Sequence, residues 1–125
     1  MRKIKFRGKR VENNEWIFGY YVTTYDSNRI IYEDYEGFYC EEEVIPESVG
    51  QYTGLKDKNN REIYEGDIIK VTWRYDSDIG TVKYIRNGFF VSNMKRNTFI
   101  PLGNFSATYE IISNIYENPE LLEKK

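Results

Sequence analysis

The sequence has 125 residues with 18 basic and 20 acidic side chains, so its length favours one domain and its net charge of -2 does not indicate a nucleic-acid-binding protein. Aromatic residues make up 17% of the chain, which argues against a disordered protein because disordered chains contain few of them. Histidine is absent, so the chain lacks the commonest general base, the usual activator of serine and cysteine nucleophiles, and histidine metal ligands. We therefore expect a protein that is not an enzyme, with no catalytic residue, metal site or cofactor.

The single cysteine and the absence of long apolar stretches indicate where the protein resides. Cys40 cannot form an internal disulfide, which is typical of an intracellular, reduced protein. Three glutamates follow it and disfavour the thiolate, so we interpret Cys40 as a half-buried structural residue. No uncharged stretch reaches the ~20 apolar residues of a membrane-spanning helix, and no apolar signal-peptide core follows the basic N-terminus. We expect a cytoplasmic protein with no membrane partner.

Apolar residues with a period of two predict a hairpin near the N-terminus. Ile4 and Phe6 alternate with basic residues, and a polar turn follows at residues 12–15. Residues 16–22 then place four apolar side chains on one face of a second strand. Gly19, in the middle of that strand, indicates a bulge or a close backbone approach.

The pattern continues less regularly through the first half of the chain. Strand-forming residues recur at 29–32 and 38–40, and a turn at 34–37 lies between them. We expect loops and short strands over residues 41–66, with a helical turn near Pro46. A polar turn is predicted at residues 57–61, where asparagine tolerates the left-handed conformation.

The second half of the chain gives clearer strand signals. Apolar residues alternate over 68–75 and again over 81–85. Asn87-Gly88 follows, and Asn-Gly between strand-forming residues is the strongest short-range hairpin signal. Further strands are predicted around 98–100 and 108–112, and a last helical turn begins at Pro119 with Asn118 as its cap.

These elements amount to eight or nine short strands with little helix, which indicates a small barrel or sandwich. We predict a mainly β fold, with an N-terminal antiparallel sheet and connecting loops over residues 1–61. A small SH3-like barrel with a short C-terminal helical turn is predicted over residues 62–125. Other five-stranded barrels would give a similar pattern.

Several segments resemble motifs of the YopX protein family. Residues 50–69, GQYTGLKDKNNREIYEGDII, are similar to its central signature, and 4–9, 16–19, 109–112 and 114–122 are similar to its flanking motifs. The resemblance implies a small phage or prophage protein with a largely β fold that includes an SH3-like portion. It also implies oligomerisation, within a bacterial host, and implies no catalytic residue or ligand.

The central motif also has a physical interpretation from its residue types. Asn60 stands where similar sequences often carry glycine, and asparagine can adopt the same left-handed conformation. Gly54 and Gly66 supply positive φ or close packing, and Asp67 accepts backbone N–H bonds at the start of a strand. We interpret the motif as a structural corner; the alternative is an exposed recognition loop.

Charge is segregated along the chain. Residues 1–10 hold six basic groups and no acid, 33–47 hold seven acids and no base, and 70–96 hold six basic groups against two acids. One interpretation is that these segments are solvated strand faces, with basic and acidic segments facing each other. The alternative interpretation is a charged surface that binds nucleic acid or mimics it.

Basic and aromatic residues alternate in the predicted barrel, as single-stranded nucleic acid would require. Trp73 and Tyr75 share the predicted core face of Ile69 and Val71, however, so we expect aromatic and basic side chains to point to opposite faces. The candidate nucleic-acid contacts are Lys70, Arg74, Lys83, Arg86, Lys95 and Arg96.

Two functional hypotheses follow. The favoured one is a non-enzymatic accessory protein that forms homo-oligomers and binds a phage or host protein; the alternative is an SH3-like nucleic-acid-binding module. Self-association is expected because a sub-domain of about 50 residues cannot bury many rings by itself. The rings in question are Tyr20, Tyr21, Tyr25, Tyr32, Tyr35 and Tyr39. The alternative is a monomer whose N-terminal sheet packs wholly on the C-terminal barrel.

Overall fold

The computed structural model describes residues 3–93, 98–103 and 107–122, and this part of the chain is mainly β. The described strands are β1 (Phe6–Lys9), β2 (Trp16–Thr23), β3 (Asn28–Glu33), β4 (Tyr39–Glu43), β5 (Gly50–Lys56), β6 (Glu62–Tyr64), β7 (Asp67–Thr72), β8 (Ser77–Ile85), β9 (Gly88–Asn93), β10 (Thr98–Pro101) and β11 (Thr108–Asn114). Two short 3-10 helices span Pro46–Ser48 and Pro119–Leu122, where the sequence predicts helical turns. The predicted mainly β class with little helix is confirmed.

The chain forms two compact units, Met1–Tyr52 and Thr53–Lys125, and strand β5 runs from the first into the second. The prediction from sequence divides the chain after residue 61 instead. The division after residue 61 stays a prediction.

The first unit is an antiparallel sheet with the strand order β4-β3-β2-β1-β5. Ile30 and Val44 are its fully buried aliphatic residues, and Gly8 packs between them. A Cβ on Gly19 would lie 2.1 Å from the carbonyl oxygen of Ile31, because the backbones of β2 and β3 approach closely there. The close approach predicted at Gly19 is confirmed.

The second unit contains a five-stranded antiparallel sheet with the order β10-β9-β8-β7-β11. One face of this sheet forms the core, because alternate apolar residues of β7, β8 and β9 project to that side. The buried cluster consists of Ile63, Ile69, Val71, Val82, Val91 and Tyr109. The closure of this sheet into an SH3-like barrel stays a prediction.

The part of the central motif that lies in the second unit adopts the predicted backbone conformations. Gly54, Asn60 and Gly66 have φ values of 89°, 65° and 96°. The carboxylate of Asp67 accepts the backbone N–H of Tyr64 at 2.8 Å. The predicted positive φ angles and the predicted role of Asp67 are confirmed.

Asp57 is the buried centre of the polar turn that follows β5. One carboxylate oxygen accepts the backbone N–H groups of Asn59 and Arg61, each at 2.9 Å, and the other accepts the N–H of Ile111 on β11 at 3.0 Å. Burial alone would raise the pKa of Asp57, but these bonds and the charge of Arg61 lower it below its usual value of 3.8. The ionised carboxylate therefore ties the turn to a strand 54 residues away.

The β8–β9 hairpin forms as predicted, but its turn lies one residue earlier than the Asn-Gly signal indicates. Ile85 pairs with Gly88, so the turn residues are Arg86 and Asn87, and Arg86 takes the positive φ of 59°. This register places Val82 opposite Val91, both in the core. The observed register therefore differs by two residues from the one that Asn87-Gly88 in the turn would give.

Candidate interaction surfaces

The described candidates for nucleic-acid contact lie on the sheet of the second unit and in its turns. Lys70 is exposed on β7 and Lys83 on β8, whereas Arg74 and Arg86 occupy the two exposed turns that flank β8. Lys95 and Arg96 lie outside the described residues.

Lys70 and Lys83 share the sheet face that points away from the buried cluster. Lys70 pairs with Ile79 on β8. Ile79 and Lys83 are four residues apart on that strand, and side chains an even number of residues apart project to the same side. Lys83 pairs directly with Phe90 on β9, and cross-strand partners share a face. Phe90 therefore lies beside Lys83.

Phe99 on β10 joins the same face. It pairs with Ser92, and Ser92 pairs with Thr81, which is two residues from Lys83 on β8. Phe99 is 55% exposed. A shallow cleft contains Phe90 and Phe99 together with Arg86 and its turn neighbours. We call the surface formed by Lys70, Lys83, Arg86, Phe90 and Phe99 the basic face.

Two parts of the sequence interpretation are therefore wrong. Tyr75 does not share the core with Val71, because β7 ends at Thr72 and Tyr75 lies in the following turn with 91% of its surface exposed. Phe90 does not oppose the basic side chains, because it pairs with Lys83, whereas Trp73 packs against the buried cluster as predicted. The sequence analysis considered the aromatic residues that follow β7 and did not include Phe99. The position of Phe99 within the strand predicted around 98–100 was the signal that could have identified it.

Charge on the basic face is weakly compensated by protein carboxylates. Within residues 3–93, 98–103 and 107–122, Lys70, Lys83 and Arg86 form no ion pair. Glu110 is the cross-strand neighbour of Lys70, and its carboxylate lies 3.4 Å from the ammonium group of Lys58 instead. Positive charge and aromatic surface are therefore presented together to solvent.

The first unit has a different surface, on the face of its sheet opposite Ile30. Phe18, Tyr20 and Val22 alternate along β2 and project to this side. Tyr20 pairs with Ile31 on β3, and Tyr39 on β4 projects to the same side through its pairing with Glu33. We call the surface formed by Phe18, Tyr20, Val22, Ile31 and Tyr39 the aromatic face.

The aromatic face is largely open to solvent. Tyr20 is 62% exposed and Tyr39 is 70% exposed, and Phe18 and Val22 are also exposed. Tyr25 and Tyr35, in the turns, are fully exposed. The expectation that the first unit leaves several tyrosine rings unburied is confirmed for these residues.

Acidic and basic side chains border the aromatic face on opposite sides. Glu41 and Glu43 project from the edge strand β4, through their pairing with Ile31 and Arg29. Lys5 and Lys9 project from the β1 side, where their ammonium groups lie over the rings of Tyr52 at 5.7 Å and Trp16 at 5.2 Å. The face is therefore basic along its β1 side, whereas the acidic β4 side is partly neutralised by Arg29 on β3, whose guanidinium group lies 3.4 Å from the carboxylate of Glu41.

On the buried side of the same sheet the basic and acidic segments contact each other directly. The guanidinium group of Arg10 lies 3.1 Å from the carboxylate of Glu42. Burial and the negative charge of Glu42 raise the pKa of Tyr32, which lies next to this pair, so its phenol stays protonated over the ordinary pH range. The predicted contact between the two charged segments is confirmed for Arg10 and Glu42.

The described part of the chain contains neither a membrane-spanning helix nor a cluster of metal-ligating side chains. Its helices are the two short 3-10 turns, and neither has the length that crossing a bilayer requires. Acidic and cysteine side chains in residues 3–93, 98–103 and 107–122 do not converge in groups of three that could hold a metal ion.

Comparison with known proteins identifies a family and solved structures of similar fold. The sequence profile of the family described as YopX protein matches residues 5–123. The crystal structure of protein EF1440 from Enterococcus faecalis is 23% identical in sequence, with a TM-score of 0.54, and the alignment covers 98% of this chain and 99% of that one. The crystal structure of protein yopX from Bacillus subtilis is 20% identical, with a TM-score of 0.59 and coverages of 100% and 99%. Among curated proteins, none shows significant sequence similarity to the chain.

Proposed function

The chain belongs to the YopX protein family, and from that premise we propose that it is a non-enzymatic accessory protein of a phage or prophage that self-associates in the host cytoplasm. The aromatic face is the observation that carries this proposal. Monomeric proteins rarely leave large contiguous apolar patches exposed, and such patches mark interaction sites. Tyrosine and phenylalanine are also enriched at protein interfaces, because a ring supplies much contact area.

The occupant that best fits the aromatic face is a second copy of this chain. The face carries acidic groups on its β4 side and basic groups on its β1 side, so it is complementary to itself in one orientation. A two-fold axis parallel to the strands, between β2 and β3, places β4 of each copy over β1 of the other. Glu41 of each copy then faces Lys5 of the other, because both lie level with Tyr20 along the strand direction.

The perpendicular two-fold axis in the plane of the sheet gives the opposite result. It would place β4 over β4 and therefore acid over acid, which is destabilising. Charge thus selects one arrangement of the two sheets. In that arrangement Tyr20 and Ile31 lie near the axis, where interface residues are most completely desolvated.

Light scattering at micromolar concentration tests self-association. We expect a mass that is a multiple of 15.0 kDa, and we expect Tyr20→Lys to dissociate the assembly while circular dichroism shows an unchanged fold. Glu47→Lys is the matched control, because Glu47 lies in a 3-10 helix outside the sheet. A wild-type mass of 15.0 kDa that does not change with protein or salt concentration would overturn the proposal.

Charge exchange tests the orientation. Glu41→Lys sets basic over basic at this contact, and Lys5→Glu sets acid over acid, so each variant alone should be monomeric. An equimolar mixture should form a heterodimer, since every contact is again between opposite charges. Two variants that stay oligomeric alone, or that fail to associate when mixed, would contradict this arrangement.

A further inference from the structure

We propose that the basic face of the second unit binds single-stranded nucleic acid, with bases stacked on Phe90 and Phe99 and the phosphates held by Lys83 and Arg86. This site is separate from the aromatic face and goes beyond the self-association proposed above. It stands on the shared face of Lys83, Phe90 and Phe99 and on the cleft in which both rings lie beside Arg86.

The chemistry of the basic face matches the two requirements of single-strand binding. Every base offers a flat ring surface, so exposed aromatic side chains bind bases with little dependence on sequence. The phosphate backbone needs cations that are not already neutralised by protein carboxylates. Lys83 and Arg86 form no ion pair within the described residues, and Lys70 extends the positive charge along the same face of the sheet.

Single strands fit this surface better than duplexes do. Duplex DNA is read by a helix or a β-ribbon in the major groove, and its bases present only their edges there. On the basic face, by contrast, the row Ile68, Thr81 and Ser92 is buried, but Phe99 is more than half exposed and Phe90 is half-buried beside it. A ring on such a surface can stack only on a base that is not already paired and stacked in a duplex.

An acidic polypeptide is the other partner that a basic surface could take. Carboxylate side chains would engage Lys83 and Arg86, but they would leave the rings of Phe90 and Phe99 without a flat partner. The rings therefore favour the nucleic acid, and their contribution distinguishes the two partners.

Fluorescence anisotropy with a labelled 16-nucleotide oligodeoxynucleotide of mixed sequence, its RNA equivalent and the matching DNA duplex tests the proposal. We expect the single strands to bind more tightly than the duplex at ~50 mM salt, with affinity that falls steeply as salt rises. Lys83→Gln and Arg86→Gln should each weaken binding and reduce the slope of log K against log salt by about 1. Lys56→Gln, an exposed charge outside the basic face, is the matched control and should leave the slope unchanged.

Phe99→Ala separates base stacking from simple charge attraction. Loss of one stacked base should weaken single-strand binding by roughly 5- to 150-fold without changing the salt slope. Phe38→Ala, which removes an exposed ring from a turn of the first unit, is the control. Circular dichroism of each variant confirms that the fold is retained.

Three results would overturn the proposal. The first is no binding of either single strand at ~50 mM salt, the permissive end of the range. The second is equal affinity in the wild type and in Phe99→Ala, which would leave charge attraction alone. The third is tighter binding of poly-glutamate than of the oligonucleotides, which would assign the surface to an acidic polypeptide.

Discussion

Removal of the Asp57 carboxylate should destabilise the second unit more than its place in a polar turn implies. Its two oxygens accept three backbone N–H bonds, from Asn59, Arg61 and Ile111, at 2.9 to 3.0 Å. A hydrogen bond to an ionised group contributes about 1.5–3 kcal/mol each. Asn59 and Arg61 are exposed, so water can replace part of two of these bonds, whereas the N–H of Ile111 is in a half-buried strand.

We therefore expect Asp57→Ala to lower the free energy of unfolding by about 3 kcal/mol at pH 7, less than the sum of the three bonds. For a chain of 125 residues this lowers Tm by roughly 10 °C. Asp57→Asn keeps one acceptor oxygen but turns an amide N–H toward a backbone donor, so its loss should be about 2 kcal/mol.

The loss should also depend on pH with a definite sign. The folded pKa of Asp57 lies below its unfolded value, so its contribution is fully present above the usual value of 3.8 and is lost as pH falls through the folded pKa. The difference between wild type and Asp57→Asn should therefore be constant from pH 7 to about pH 5 and should shrink below about pH 4.

Urea denaturation followed by circular dichroism, at pH 7 and at pH 3, measures both effects. Asp26→Asn is the matched control, because Asp26 is exposed in a turn of the first unit. A loss below about 0.5 kcal/mol for Asp57→Ala at pH 7, the usual range of a surface substitution, would refute the assigned role. So would a difference between wild type and Asp57→Asn that is the same at both pH values.

Three further substitutions test other features. Gly19→Ala should lower the free energy of unfolding by about 2 kcal/mol or more, since its Cβ would meet the Ile31 carbonyl oxygen at 2.1 Å. Gly88→Ala is the control and should have a small effect, because the atom nearest to its Cβ would be at 3.4 Å. Equal urea midpoints for the two variants would contradict this. Arg86→Gly should raise stability by about 0.5 kcal/mol because it relieves a positive φ of 59° in a side-chain-bearing residue, and a lower midpoint would count against it. Tyr20→Ser should change the unfolding free energy of the dissociated chain by less than about 0.5 kcal/mol. Its mass by light scattering should nevertheless be lower than that of the wild type. Equal masses would show that Tyr20 is not in the interface.

Local sequence determined most of the strands and turns of this protein. Alternation of apolar and polar residues predicts the strands because successive side chains of a strand project to opposite faces. Asn60, Gly54 and Gly66 mark the positive φ angles because few other residues adopt them without strain. The helical turns at Pro46 and Pro119 follow from the fixed φ of proline, which suits the first residue of a helix. The family resemblance rests on the same short segments.

Tertiary structure decided the features that join segments distant in the chain. The Asn87-Gly88 signal places those two residues in the turn, which would pair Val82 with Asn93. The observed register instead pairs Val82 with Val91, and no local pattern indicates this choice. Asp57 finds its third donor 54 residues away, on β11, where no local pattern indicates it.

The basic face shows the same division between local and tertiary information. The sequence identified Lys83 and Arg86 by charge alone, but their proximity to Phe90 and Phe99 depends on the pairing of three strands. A local pattern fixes which residues alternate along one strand, and it carries no information on which strand lies alongside. That choice is made by the burial of the opposite face, where Val82 and Val91 enter the core and thereby bring Lys83 and Phe90 together on the surface.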